Sequence, residues 1–85
     1  MYRLLIKPSA ERDLDRLRGE MWQCLKEAIL SLRADPRPAG CKKLAGGKGG
    51  RIAIGDYRVL NDVDDDARTV TVLRVKHRRD VYYNL

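Results

Sequence analysis

Residues 51–76, RIAIGDYRVLNDVDDDARTVTVLRVK, decide the architecture. Gly55-Asp56 and the run Asp64-Asp65-Asp66-Ala67 are turn signals. They divide the stretch into three predicted strands, 51–54, 57–63 and 68–76. Connections this short make neighbouring strands antiparallel. In the last and longest strand Val70, Val72, Leu73 and Val75 occupy both faces. That suits a central strand covered by helices on one side and by partly buried side chains on the other.

Working outward, residues 2–7 read as a short strand that Pro8-Ser9 stops. Ser9 is the expected N-cap of a helix, with Glu11 and Asp13 in its first turn to suit the dipole. Ala10, Leu14 and Leu17 fall at i, i+4 and i+7, which predicts a helix over 10–18 with Gly19 as its C′ residue. Met21, Leu25, Ala28, Ile29 and Leu32 predict a second helix from about 20 to 34. Asp35-Pro36 ends it, because a residue before proline is pushed out of the α region. Helices joined by so short a turn form a hairpin. Met21, Leu25, Ile29 and Leu32 are its core stripe, and Trp22 covers the edge. Residues 35–50 read as a loop. The order β-α-α-β-β-β gives an α+β class: a helical hairpin on one face of a small, mainly antiparallel sheet, in a single domain over residues 1–85.

Composition narrows the function. A chain of 85 residues holds one core. Its longest aliphatic runs are three residues, such as Leu4-Leu5-Ile6, too short to cross a bilayer. No apolar stretch of the secretory kind follows the start, so a cytoplasmic location is expected. Cys24 and Cys41 stand 17 apart with no CxxC and one histidine in the chain, which excludes the usual zinc spacings and leaves two reduced thiols. No metal and no cofactor are expected. Gly46-Gly47-Lys48-Gly49-Gly50 lacks the following Ser or Thr and the helix entry of a phosphate loop. It reads as a flexible loop with cationic Lys42, Lys43 and Lys48.

Net charge is +6, and it is unevenly placed. Residues 1–41 carry 8 basic and 6 acidic side chains, and residues 42–85 carry 10 and 6. Three of the latter acids are the Asp64–Asp66 run. Arg74, Lys76, His77, Arg78 and Arg79 form the densest cluster. Strand alternation puts Arg74 and Lys76 on one face, where Arg58 of the neighbouring strand could join them. The chain offers no carboxylate pair, Ser-His-Asp set or metal set for this cluster. RNA phosphodiester cleavage fits better, since it needs a base for the 2′-OH, cations around the phosphorane and an acid for the leaving oxygen. Arginines bind phosphate but are not ordinary bases. His77 among cations is a candidate base and Tyr82 a candidate acid. Tyr57, Tyr82 or Tyr83 could stack on bases. Plain anion or RNA binding stays open beside catalysis.

The segments Ser9-Ala10-Glu11-Arg12-Asp13-Leu14, Asp35-Pro36-Arg37-Pro38, Lys42-Lys43-Leu44, Gly55-Asp56-Tyr57-Arg58-Val59 and Val72 to Tyr82 together resemble the RelE/ParE superfamily of type II toxin–antitoxin toxins. The resemblance spans nearly the whole chain and agrees with the derived fold. In the RelE branch it implies a metal-independent, ribosome-dependent mRNA endonuclease, with the 70S ribosome, its rRNA and the mRNA as partners. Carried over by position, it implies that Arg51, Arg58, His77, Arg78 and Tyr82 form the catalytic set. Lys42, Lys43, Lys48, Tyr57, Arg74, Lys76 and Arg79 are the expected RNA-binding residues. Ala53 stands where the best-known members have a second basic residue, Gly50 where an aromatic usually precedes Arg51, and Asn61 where an aromatic is frequent. The ParE branch shares the fold but poisons DNA gyrase. A third alternative is a binding module without catalysis. All three imply a cognate antitoxin whose acidic segment covers the basic face.

Overall fold

The computed structural model describes residues 1–38, 42–43 and 49–83; of residues 42, 43 and 81–83 it describes the backbone alone. Its elements in chain order are β1 (Arg3–Ile6), α1 (Pro8–Asp15), α2 (Gly19–Ser31), β2 (Lys42–Lys43), β3 (Gly50–Ile54), β4 (Tyr57–Asp64), β5 (Thr69–His77) and α3 (Arg78–Tyr83). One five-stranded sheet runs in the order β1-β5-β4-β3-β2. β1 is parallel to β5, and every other neighbouring pair is antiparallel. The expected α+β class and the three-strand meander are therefore present. β5 is an inner strand, flanked by β1 and β4, while β4 holds the middle of the sheet. Two elements extend the expected order. β2 lies in the predicted 35–50 loop and carries no apolar pattern, only a pairing with β3. α3 lies in the charged chain end. Cys41 and Lys48 fall outside the described residues.

The core sits between one face of the sheet and the first two helices. Val59 and Val63 of β4, Val70, Val72 and Val75 of β5, Ala10 of α1, and Leu25, Ile29 and Leu32 of α2 and its C-cap are all buried. Met21 of the predicted stripe packs on this cluster while partly exposed. Each such Val or Leu contributes about 1.5–3 kcal/mol by leaving water. Asn61 is the one buried polar residue among those described. It is accommodated because its Oδ1 accepts the Gly50 N–H at 3.2 Å.

The double-faced apolar pattern of β5 has a different cause from the one expected. Asn61 pairs with Val72 but Leu60 pairs with Arg74, so Leu73 is an extra residue, a β-bulge. The bulge resets the alternation, and Val70, Val72 and Val75 all reach the same core. Leu73 itself is half-buried.

α1 corrects three local expectations. Lys7 is its N-cap and Pro8 its first residue, where a missing N–H costs nothing. Ser9 is thus inside the helix, and its Oγ donates to the Leu73 carbonyl at 2.9 Å. The helix closes at Asp15 with Arg16 as C-cap, so Gly19 is not its C′ residue. Gly19, at φ +69, instead opens α2 after Arg18. α2 ends before the proline. From Leu32 to Ala34 the chain tightens into i→i−3 bonds of 3.1–3.3 Å.

The β3–β4 turn fixes register. Gly55 has φ +59 at the first of two turn residues, the position where a type II′ hairpin needs glycine. A Cβ there would also come within 3.3 Å of Met21 Cε. In the β4–β5 turn Asp64 Oδ1 accepts the N–H groups of Asp66 and Ala67, both at 3.1 Å. Asp65 takes a bidentate bond from Arg37 at 2.9 and 3.0 Å and one from the Tyr2 hydroxyl at 2.7 Å. The acidic run therefore ties the chain after α2 and the start of β1 to this end of the sheet.

Candidate functional site

The sheet face away from the core carries the candidate site. Register places Arg51 opposite Leu60, Ala53 opposite Arg58, Arg58 opposite Lys76, and Leu60 opposite Arg74. Alternation puts all of these on the face opposite Ile52, Ile54, Val59 and Val75. Arg58 thus has a methyl group on one side and an amine on the other. Like charges directly opposite each other oppose folding. None of the ion pairs among the described residues includes Arg58 or Lys76. Arg58 Nη1 is anchored instead on the hairpin carbonyls of Gly55, at 3.0 Å, and Tyr57, at 2.9 Å. Two donors are spent on backbone, and no ion pair among the described residues meets the charge.

Arg74 begins on the same face but is committed elsewhere. Its Nε and Nη2 donate to Asp13 of α1 at 2.7 and 3.0 Å. Asp13 Oδ2 also accepts the Val75 N–H at 2.9 Å. That N–H lies past the end of β1, whose pairing with β5 stops at Val72. Ser9 and Asp13, four residues apart on one helix face, therefore replace a strand partner that has run out. The Asp13 side chain is only 10% exposed. Burial works against its ionised form, but the bonds from Arg74 and Val75 and the charges of Arg74 and Arg16 outweigh it and hold the carboxyl below its usual range.

A carboxylate with a depressed pKa stabilises the fold above the unfolded-state value and loses that contribution as pH falls through the folded-state value. Asp13→Asn is thus expected to cost about 1–2 kcal/mol at about pH 6, with Arg74 partly screened by solvent. Towards about pH 3 the gap between the two proteins is expected to narrow. Urea denaturation across that range checks it; a gap independent of pH contradicts it.

His77 pairs with Tyr57 and lies on the core-side face, away from Arg58. The two rings meet edge to face, 5.5 Å apart at 78°. His77 Nδ1 accepts the Arg79 N–H at 3.3 Å. In the neutral ring the proton then sits on Nε2, which makes that atom a donor rather than a base. The structure does not bring His77 and Arg58 together as a base and a phosphate clamp. A cleft of about 330 Å³ opens beside these rings, against the C-terminal end of α1.

α3 begins where β5 ends. Its Arg78 N–H donates to the Asp56 carbonyl at 2.8 Å, and Arg78 Nε lies 3.8 Å from Asp56 Oδ1. Arg78 and Arg79 are exposed. Tyr82 lies on α3, and Lys42 and Lys43 on β2; their side chains are outside the described residues, as is Lys48 altogether. Among the described residues no three His, Cys, Asp or Glu side chains gather as a metal site. No helix among them is long and apolar enough to cross a membrane.

The family model of the ParE toxin of type II toxin–antitoxin systems matches residues 4–82. The chain belongs to the RelE/ParE toxin family. Toxin RelG of Mycobacterium tuberculosis is 35% identical to it over 85 residues, 95% of each chain. The RelBE2 toxin–antitoxin complex of the same organism contains a chain 30% identical, with a TM-score of 0.79 over 91% of this chain and 98% of that one. The isolated E. coli RelE toxin superposes with a TM-score of 0.78 over all of both chains at 20% identity, a likeness of fold alone. In this toxin the sheet sets Arg58 between Ala53 on β3 and Lys76 on β5.

Sequence reasoning reached Arg58 and Lys76 through strand alternation. It missed Asp13 as the partner of Arg74 and Arg16 as a wall of the cleft. The Ser9/Asp13 spacing was the available signal, but both residues also suit a helix start.

Proposed function

We propose that this toxin cleaves ribosome-bound mRNA, as a metal-independent endoribonuclease, and that a cognate antitoxin with an acidic segment covers its basic face. The observation that carries the reading is the Arg58–Lys76 pair on the open face, which no ion pair among the described residues neutralises. Its repulsion opposes folding, and an anionic ligand would offset it. RNA transesterification needs a phosphate held by fixed donors while the 2′-oxygen attacks and the 5′-oxygen leaves. Arg58 is pre-anchored on its hairpin and suits that role. Arg51 and Arg78 flank it as further phosphate ligands. Lys76 in its neutral amine form accepts the 2′-OH proton in place of the residue missing at Ala53, and Tyr82 of α3 donates to the leaving oxygen. His77 stands to the side, for the reasons of register and tautomer given above.

Lys76 separates the base role from simple charge. Arginine keeps the charge but is not a base. Lys76→Arg and Lys76→Met are therefore both expected to lower the single-turnover rate by about 10²-fold or more. A near-normal rate in Lys76→Arg would leave Lys76 as a phosphate ligand only. The function itself is tested by primer extension on mRNA in a translating extract, where new 5′ ends within codons are expected. Because the matching family model is named for ParE, the second reading is gyrase inhibition. Absent cleavage together with blocked supercoiling would establish that reading instead, and absence of both effects would leave an antitoxin-binding module.

A further inference from the structure

We propose that the cleft at the C-terminal end of α1 is a nucleotide subsite that takes a base next to the scissile phosphate. Its place beside that phosphate rests on the RNA-cleaving reading; its capacity to hold a nucleotide does not. The cleft lies at the edge of the sheet beside the end of β5, where residues of both faces reach it, Arg74 and Lys76 from one and Val75 and His77 from the other. Arg16 and Leu17 just past the end of α1, Tyr57 from β4, Lys76 and His77 from β5 and Asp80 from α3 line it, beside the Asp13–Arg74 ion pair. Lys76 borders both places, since it pairs with Arg58 and also walls the cleft. A strand with one phosphate at Arg58 and Lys76 can therefore turn its neighbouring nucleotide over the end of β5.

The chemistry of the lining selects a base with its sugar-phosphate. Tyr57 and His77 supply two aromatic rings, and Leu17 an apolar wall. Rings of this kind hold single-stranded bases with little regard to sequence. His77 Nε2–H is a donor for a ring nitrogen or carbonyl, because Nδ1 is taken by Arg79. Arg16 is exposed at the helix end and reaches a phosphate from outside. Asp80 brings a carboxylate to the rim, which disfavours a bare anion. At about 330 Å³ the cleft is at the lower end of small-molecule sites and matches one planar base better than a peptide helix or strand.

The test is an NMR titration of the full chain with adenosine 5′-monophosphate and, separately, inorganic phosphate. The monophosphate is expected to move the Leu17 and Tyr57 amides and the His77 ring signals, and phosphate is expected to leave Leu17 and Tyr57 in place. Tyr57→Ala should weaken the nucleotide about tenfold and Tyr57→Phe should not. Arg16→Ala, on an exposed side chain outside the core, should weaken it while the fold is kept. The proposal is overturned if both probes move the same residues or if the nucleotide leaves the cleft signals unchanged. It is equally overturned if only an acidic peptide moves them, which would assign the cleft to a protein partner. Cleavage without nucleotide in the cleft would defeat the subsite alone, and nucleotide in the cleft without cleavage would defeat the nuclease reading alone.

Discussion

Arg58→Ala is expected to lower cleavage of ribosome-bound mRNA by about 10²–10³-fold, the usual effect of removing one preorganised transition-state donor. The size follows from how Arg58 is held. Its Nη1 bonds to the Gly55 and Tyr57 carbonyls fix the guanidinium before substrate arrives. Little reorganisation is then needed as charge grows on the phosphorane. Lysine at this position keeps a charge but loses the fork that bonds two oxygens at once, so Arg58→Lys is expected to recover only a small part of the rate. Stability should move the other way. Removing one of two facing cations relieves repulsion, and Arg58→Ala should unfold at an equal or higher urea concentration than the wild type. Single-turnover kinetics and urea denaturation on the same preparations check both halves. A rate within a few fold of the wild type would remove Arg58 from the site.

Leu25→Ala is expected to cost about 3 kcal/mol. Leu25 is fully buried, at 0% exposure, in the cluster that joins α2 to the sheet. Domains of this size have on the order of 5–10 kcal/mol in total, so one substitution removes a large fraction of it. The melting temperature should fall by more than about 12 °C, at about 4–8 °C per kcal/mol. Leu30→Ala on the same helix is the control. Leu30 is 41% exposed, and its loss should change stability by no more than about 0.5 kcal/mol. Comparable losses at the two positions would contradict the assignment of the buried stripe.

Much of this was legible in the residues. Periodicity separates helices from strands because burial on one face imposes a period of 3.6 or 2. Thus Leu25, Ile29 and Leu32 read as core, and the turn pairs delimit β3, β4 and β5. The bulge at Leu73 was not legible. An extra residue in a strand looks like apolar residues on both faces until the partner's register is known. Ser9 and Asp13 were misread for a related reason. Their side chains suit a helix start, and only the early end of β1 shows that β5 needs them. α3 was hidden by its charge, since a cationic run at a chain end has no apolar period to betray a helix.

For the candidate site, alternation put Arg74 and Lys76 on one face, but the direct pairing of Lys76 with Arg58 depends on the bulge, since the register at the β4–β5 turn alone would set Val75 opposite Arg58. The same alternation separates His77 from them, because it follows Lys76 directly and pairs with Tyr57 on the other face. Arg74 belonged to the same run in the sequence, and the Asp13 that withdraws it is 61 residues away.

The open face of the sheet is proposed to cut RNA through attack by a 2′-oxygen. The most direct measurement uses purified ribosomes programmed with an mRNA that carries a single 2′-deoxynucleotide at the mapped cleavage position. Cleavage of the all-ribose message, its loss when that one oxygen is removed, and its loss in Arg58→Ala on the all-ribose message are the predicted results. An intact all-ribose message, or equal cleavage of the deoxy-substituted one, would contradict the account.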